Sequence, residues 1–232
     1  VQASLLGANI YAGLGNRKIS LSQGLRYKTN QYMLGSLETK GEYSPSFLDY
    51  QAYLSWTPSE KWTFDLIGYI SKNDYNFKPK DRETNFGTLE DVKSFKVYFD
   101  GKEEDLFRTL YGTSKITRKW ERKHALSLSA SAFNTKERET YDIQGQYWLN
   151  ETTSDKQLGV GTYMEHARNL LSSQTQTFKL TYDFRQGNHH LQTGLSWRHE
   201  SISENSREWQ YRDSSGYSVP HTGKDLQVIY NL

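Results

Sequence analysis

The stretch Glu165-His166-Ala167-Arg168 sets a carboxylate, an imidazole and a guanidinium close together. On a short helix or at the start of a protruding strand such a group could hold a ligand, but a charged loop contact accounts for it better. His189-His190 could suggest a metal pair. Adjacent residues on a strand point to opposite faces, so an interfacial turn fits these two better. Asp100-Gly101-Lys102-Glu103-Glu104-Asp105 is acidic enough for a calcium loop but lacks the alternating ligand spacing, which favours a solvated loop. Arg118-Lys119-Trp120-Glu121-Arg122-Lys123 has the composition of a nucleic-acid patch. Its place at a turn suits contact with lipid headgroups instead, and no nucleic-acid partner is expected.

Gly159-Val160-Gly161 has neither a strand-turn-helix setting nor a third glycine, so it is no nucleotide loop. No Ser/His/Asp set stands out, and no enzymatic activity, metal or cofactor is expected. The aromatics Tyr32, Tyr43, Tyr75, Tyr141, Tyr147, Trp148, Trp209 and Tyr211 could stack on sugars or pack on peptides, though packing among the loops themselves accounts for them better. The candidate substrate contacts are Tyr147, Trp148, Tyr163, Glu165, His166 and Arg168.

The elements that must position these residues are extended. In 48–71, Leu48, Tyr50, Ala52, Leu54 and Trp56 alternate with Asp49, Gln51, Tyr53 and Ser55. Trp62, Phe64, Leu66, Gly68 and Ile70 then alternate with Thr63, Asp65, Tyr69 and Ser71. Pro58-Ser59-Glu60-Lys61 joins the arms as a turn, giving a β-hairpin with arms of about ten residues. Hairpins with turns near 15–17, 118–123 and 186–189 repeat the pattern. Long loops are expected near 28–47, 73–105, 135–169 and 206–232. In the second of these, Ser94-Phe95-Lys96-Val97-Tyr98-Phe99-Asp100-Gly101 could add a short strand.

Short connections at one end and long ones at the other, over about eight strands, are the pattern of an antiparallel transmembrane β-barrel meander. Trp56, Trp62 and Trp120 would mark one membrane interface, and Tyr27 and Trp197 the other. The chain has 232 residues, 35% hydrophobic and 14% aromatic, with mean hydropathy −0.85. No stretch approaches the roughly 18 apolar residues of a membrane helix, which excludes a helical membrane protein, and the aromatic content argues against disorder. A net charge of +2 implies no polyanion, and without cysteine there is no disulfide framework or thiolate site. The N-terminus lacks the basic and apolar regions of a signal peptide.

Several stretches resemble the barrel of TonB-dependent outer-membrane receptors, the nutrient-uptake type with a carboxypeptidase-regulatory-like N-terminal domain. They are GANIYAGLGNRK, GLRYKTNQYMLGSLETKGEYSPSFLDYQAYLSW, FKVYFDG, ASAFNTKERETYDIQGQYWLNE, VGTYMEHARN and RDSSGYSVPHTG. The resemblance implies a bacterial outer-membrane location and a plugged barrel of about 22 strands. No plug, TonB-binding box or terminal aromatic strand is recognisable, so it implies an internal segment of the wall. The partners implied are the plug and remaining strands, the TonB complex, a surface lipoprotein and the bilayer. Two rivals stand beside this reading. A complete small barrel, structural or adhesive, requires the first and last strands to pair. A soluble carbohydrate-binding protein requires Leu54, Leu66, Leu128 and Leu180 in a closed core.

Overall fold

A computed structural model describes residues 1–31, 34, 41–88, 91–154, 156–215 and 227–231. They form one antiparallel sheet. Its elements are β1 (Gln2–Ser4), β2 (Gly7–Gly15), β3 (Ile19–Thr29), β4 (Gly41–Tyr43), β5 (Ser46–Ser59), β6 (Trp62–Pro79) and β7 (Arg82–Gly87). They continue with β8 (Val92–Trp120), β9 (His124–Glu151), β10 (Lys156–Gln186), β11 (His189–Asn205), β12 (Arg207–Ser215) and β13 (Gln227–Asn231). The backbone of the sheet runs β1-β2-β3-β5-β6-β8-β9-β10-β12-β13, with β11 on the turn-proximal part of β10.

The tight connections fall at 16–18, 60–61, 121–123 and 187–188. Each has a local cause. Asn16 folds its side chain back so that Oδ1 accepts from the amides of Lys18 at 2.8 Å and Ile19 at 2.9 Å. Glu121 and Arg122 take φ of 52° and 54°, the left-handed geometry that matches the twist of a hairpin. Gly187 supplies φ of 56° at the last turn.

The register aligns the apolar positions of neighbouring strands. Ile19, Trp56, Phe64, Ile116, Leu128, Leu180 and Leu195 are successive cross-strand partners. Leu21, Leu54, Leu66, Ser114, Ala130, Phe178 and Trp197 form the next row. Gln23, which interrupts this face, accepts a hydrogen bond from Tyr50 Oη at 3.0 Å. The opposite face is polar, with Arg26 on Asp49 at 2.7 Å, Tyr53 donating to Asp65 at 2.8 Å, and Thr117 beside Ser127 at 3.0 Å.

There is no second layer among the described residues, so nothing covers the apolar face. Among the described residues Val97 and Ala167 are the buried hydrophobic ones, whereas Leu66 and Leu128 are each 51% exposed. The closed core that a soluble carbohydrate-binding protein needs is not formed by Leu66, Leu128 and Leu180. Nor is the sheet closed. Among the described residues β1 and β2 pair with nothing from β10 to β13, and β11 has β10 as its one partner.

Two of the expected loops are strand for most of their length. In 73–105, β6 runs on to Pro79 and β8 begins at Val92, with β7 folded onto it. In 135–169, β9 reaches Glu151 and β10 starts at Lys156. The ladder continues there while the contrast between the faces fades, because both faces carry polar and aromatic side chains. Of the region 28–47, residues 32–33 and 35–40, including Tyr32, lie outside the described residues. In 206–232, residues 216–226 and 232 lie outside them, and β12 and β13 account for the rest apart from Ser206.

Candidate functional site

The polar face carries charge of opposite sign at its two ends. Near the tight turns, Lys115, Lys119, Lys123, Lys179 and Arg185 border a cavity of about 840 Å³. Asp183 is the single carboxylate of that lining, and it accepts from His190 Nε2 at 2.8 Å and Arg185 Nε at 3.0 Å. Toward the far end a second cavity of about 400 Å³ is bordered by Asp105, Glu137, Glu139, Glu204 and Glu208. The two lie on one face because strand residues two apart point the same way.

The acidic end gathers three carboxyl groups. Carboxylate oxygens of Glu103, Asp105 and Glu139 lie within 4.8 Å of one another, all half-buried. Glu103 and Asp105 share a face of β8, and the register sets Glu139 of β9 opposite Asp105. Burial, then the charges of Asp105 and Glu139, push Glu103 up to about 7. Burial and the charge of Glu139 raise Asp105 as well. Asn169 donates to Glu139 at 2.8 Å and to Glu208 at 2.5 Å. Among the described residues the buried Oδ1 atoms of Asp105 and Asn169 have no hydrogen-bond partner. Such a cluster can share a proton near neutral pH, and its all-oxygen donor set suits a hard cation over a soft one. Tyr75 and Tyr141 close in on it, their hydroxyls pushed up to about 12 by burial first and by the neighbouring acids second.

The six candidate contact residues divide between the faces. Tyr147, Tyr163 and Glu165 lie on the polar face. Tyr147 packs on Phe95 at 6.0 Å between ring centres, Tyr163 meets Phe99 edge-on at 6.3 Å, and Glu165 accepts from Gln210 at 2.8 Å. Tyr163 also lies over Gly145, where an added Cβ would come within 2.3 Å of its ring. Trp148, His166 and Arg168 are on the other face. Trp148 meets Tyr98 edge-on at 5.1 Å, and His166 stacks on Trp209 at 4.7 Å. Both His166 Nδ1 and Arg168 Nη2 donate to Asp142. Burial alone would raise Asp142, and these two hydrogen bonds outweigh it and hold the carboxyl below its ordinary range. One ligand on one face cannot touch all six.

His189 and His190 begin β11 at the turn, on opposite faces, as the turn reading expects. Glu103 and Asp105, expected in a solvated loop, are half-buried strand residues instead. Their spacing two apart was a visible signal. Glu139, far along the chain, joins them only through a register that no local pattern states. Protein-family models, curated proteins and solved structures give no match to this chain.

Proposed function

We propose that this chain is part of the wall of a TonB-dependent outer-membrane transporter that takes up a nutrient such as an oligosaccharide, peptide or siderophore. One observation carries the reading: a single-layer, unclosed sheet whose uncovered apolar rows lie back to back with a hydrogen-bonded polar face. In water each large apolar side chain on such a face forgoes about 1.5–3 kcal/mol of burial. Hydrocarbon would supply that burial, and a water-filled lumen would solvate the other face. The open edges support a larger wall, because unpaired strand edges do not persist in lipid. Turn-end aromatics support an interfacial girdle: Trp56 on Phe64 at 5.1 Å, Trp120 on His124 at 5.4 Å, and Arg118 over Trp62 at 5.4 Å.

In this reading the tight turns face the periplasm and the far half projects outside the cell. Tyr147, Tyr163 and Glu165 are then available to a solute in the lumen, while Trp148, His166 and Arg168 face a surface partner such as a lipoprotein. The plug, the remaining strands and the TonB complex would complete the machine, with substrate binding displacing the plug.

The sequence has no cysteine, which makes the test direct. Single cysteines at Leu66 and Leu128 should react in native membranes with a lipophilic maleimide and resist a charged one. Cysteines at Ser129 and Thr113 should show the reverse. Uptake should also stop when the inner-membrane energising complex is removed. Equal labelling of both sets by the charged reagent ends the membrane reading, and uptake indifferent to that complex ends the TonB reading.

A further inference from the structure

We propose that the far rim of the apolar face binds the phosphate of an anionic lipid headgroup through Arg108 and Lys136, with Lys72 and Arg138 beside them. The inference rests on the membrane reading above. Lys72, Arg108 and Lys136 are direct cross-strand partners on β6, β8 and β9, and all three are exposed. Arg138 follows on the same face of β9, opposite Leu106. Like charges in direct opposition destabilise a sheet, so this row calls for anions. The protein supplies few. Lys72 reaches Asp74 at 2.8 Å, and Glu104, facing the same way, is engaged by Lys102. Among the described residues the side chains of Arg108 and Lys136 have no ion-pair or hydrogen-bond partner.

Position argues for a lipid over any other anion. From Trp62 to Lys72 the strand runs 11 residues, and from Trp120 to Arg108 and from His124 to Lys136 it runs 13, at or slightly above the roughly 9–11 that cross a hydrocarbon layer. The cations therefore emerge where headgroups begin. One step down β6 and β8 lie Ile70 and Leu110, paired with each other and each 55% exposed, with Asn134 of β9 opposite Leu110. Below them the paired Gly68 and Gly112 leave the surface low. An acyl chain can lie along this strip while its phosphate reaches the guanidinium fork of Arg108 and the ammonium of Lys136. A soluble anion has no use for the strip, and an acidic protein would have to displace lipid to reach the row.

The test uses the full-length natural protein, reconstituted with equal phosphatidylglycerol and phosphatidylcholine, then mildly delipidated and weighed by native mass spectrometry. Wild type should retain phosphatidylglycerol preferentially. The R108Q/K136Q double variant should lose about 30-fold of that preference, about fivefold per cation. The K115Q/K179Q variant removes the same charge from the opposite face and should keep it, with heat-modifiable gel mobility showing that both variants are folded. Equal retention of the two lipids by wild type, or equal loss in the control variant, overturns the proposal. So does release of the lipid by millimolar inorganic phosphate, which would reduce the row to a simple anion site. Lipophilic labelling of a cysteine at Leu128 separates the premises. Absent labelling, the membrane reading falls and this inference with it; labelling without lipid preference removes the inference alone.

Discussion

Along β8 and β9 the turn-proximal half and the far half use the same ladder for different ends. Near the turn, Leu110, Gly112, Ser114 and Ile116 back onto Thr109, Tyr111, Thr113 and Lys115, so one face is apolar and the other polar. Beyond Arg108 both faces carry charge and aromatic rings: Tyr98, Asp100 and Lys102 on one, Phe99, Glu103 and Asp105 on the other. The backbone bonds are continuous across the change, from Lys93 opposite Glu151 to Trp120 opposite His124. What differs is the surroundings each face must satisfy. A sheet with one apolar face is specified by solvent contrast, and a sheet with two polar faces by its pairings.

A charge placed on the shared outer face separates the halves most strongly. Ala130→Arg, midway between His124 at the turn and Lys136 at the far rim, should cost about 2–4 kcal/mol in urea unfolding of the full-length protein from bilayers, the cost of a cation near the middle of hydrocarbon. Gln144→Arg lies on the same face of the same strand, in the far half, and is exposed. It should stay within about 0.5 kcal/mol. Similar costs at both sites would erase the division.

Glycine makes the second contrast. Gly101 in the far half has φ of 103°, and an added Cβ would sit 1.8 Å from the Asp142 carbonyl oxygen. Gly101→Ala should therefore cost about 2–3 kcal/mol and open the pairing of β8 with β9 locally. Gly68 in the near half has nothing within 4 Å of its Cβ position. Gly68→Ala should stabilise by about 0.5 kcal/mol, because alanine loses less backbone entropy in a strand. Hydrogen exchange resolves both, and a neutral Gly101→Ala would show that the far pairing tolerates a shift.

The same division explains what could be read in the sequence. The alternation of Leu48 to Trp56 and Trp62 to Ile70 announces strands, because their neighbours Asp49, Gln51 and Asp65 are so unlike them. The turn sites follow from Gly15-Asn16, Pro58 to Lys61 and Gly187-Asn188. In 135–151, by contrast, Thr135, Lys136, Glu137, Arg138 and Glu139 show no period in hydropathy, although they alternate in direction. They read as loop and fold as strand. The carboxylate cluster was half legible: Glu103 and Asp105 share a face in any extended chain, while Glu139 arrives through long-range register. Likewise, nothing local shows that Trp148 and His166 face away from Tyr147 and Glu165.

The acidic end should respond to pH through Glu103. Glu103 has its pKa raised from 4.5 to about 7. The folded state thus holds this proton more tightly than the unfolded one, so local stability is greatest below the unfolded value. It falls as pH rises from about 4.5 to 7 and is lost beyond that. After correction for intrinsic exchange, amides of β8 and β9 near Asp105 and Glu139 should lose protection over that window. Glu103→Gln should flatten the profile and leave these amides better protected at pH 8 than wild type. An unchanged slope in the Gln variant would assign the pH response to another carboxylate.

The smallest expected effect places the boundary between the halves. Lys102 and Glu104 pair on the apolar-side face just beyond the Arg108 row, and their side chains are 67% and 40% exposed. If water surrounds them, a double-mutant cycle with Lys102→Met and Glu104→Gln should give a coupling of about 0–0.5 kcal/mol, weaker in high salt. Dehydrated surroundings would screen the pair far less, and removing one partner would strand a charge at several times that cost. A coupling of about 2 kcal/mol, indifferent to salt, would therefore move the hydrocarbon edge past Lys102. It would also bury the row of Lys72, Arg108 and Lys136 inside the lipid, where three cations in opposition could not persist without bound anions.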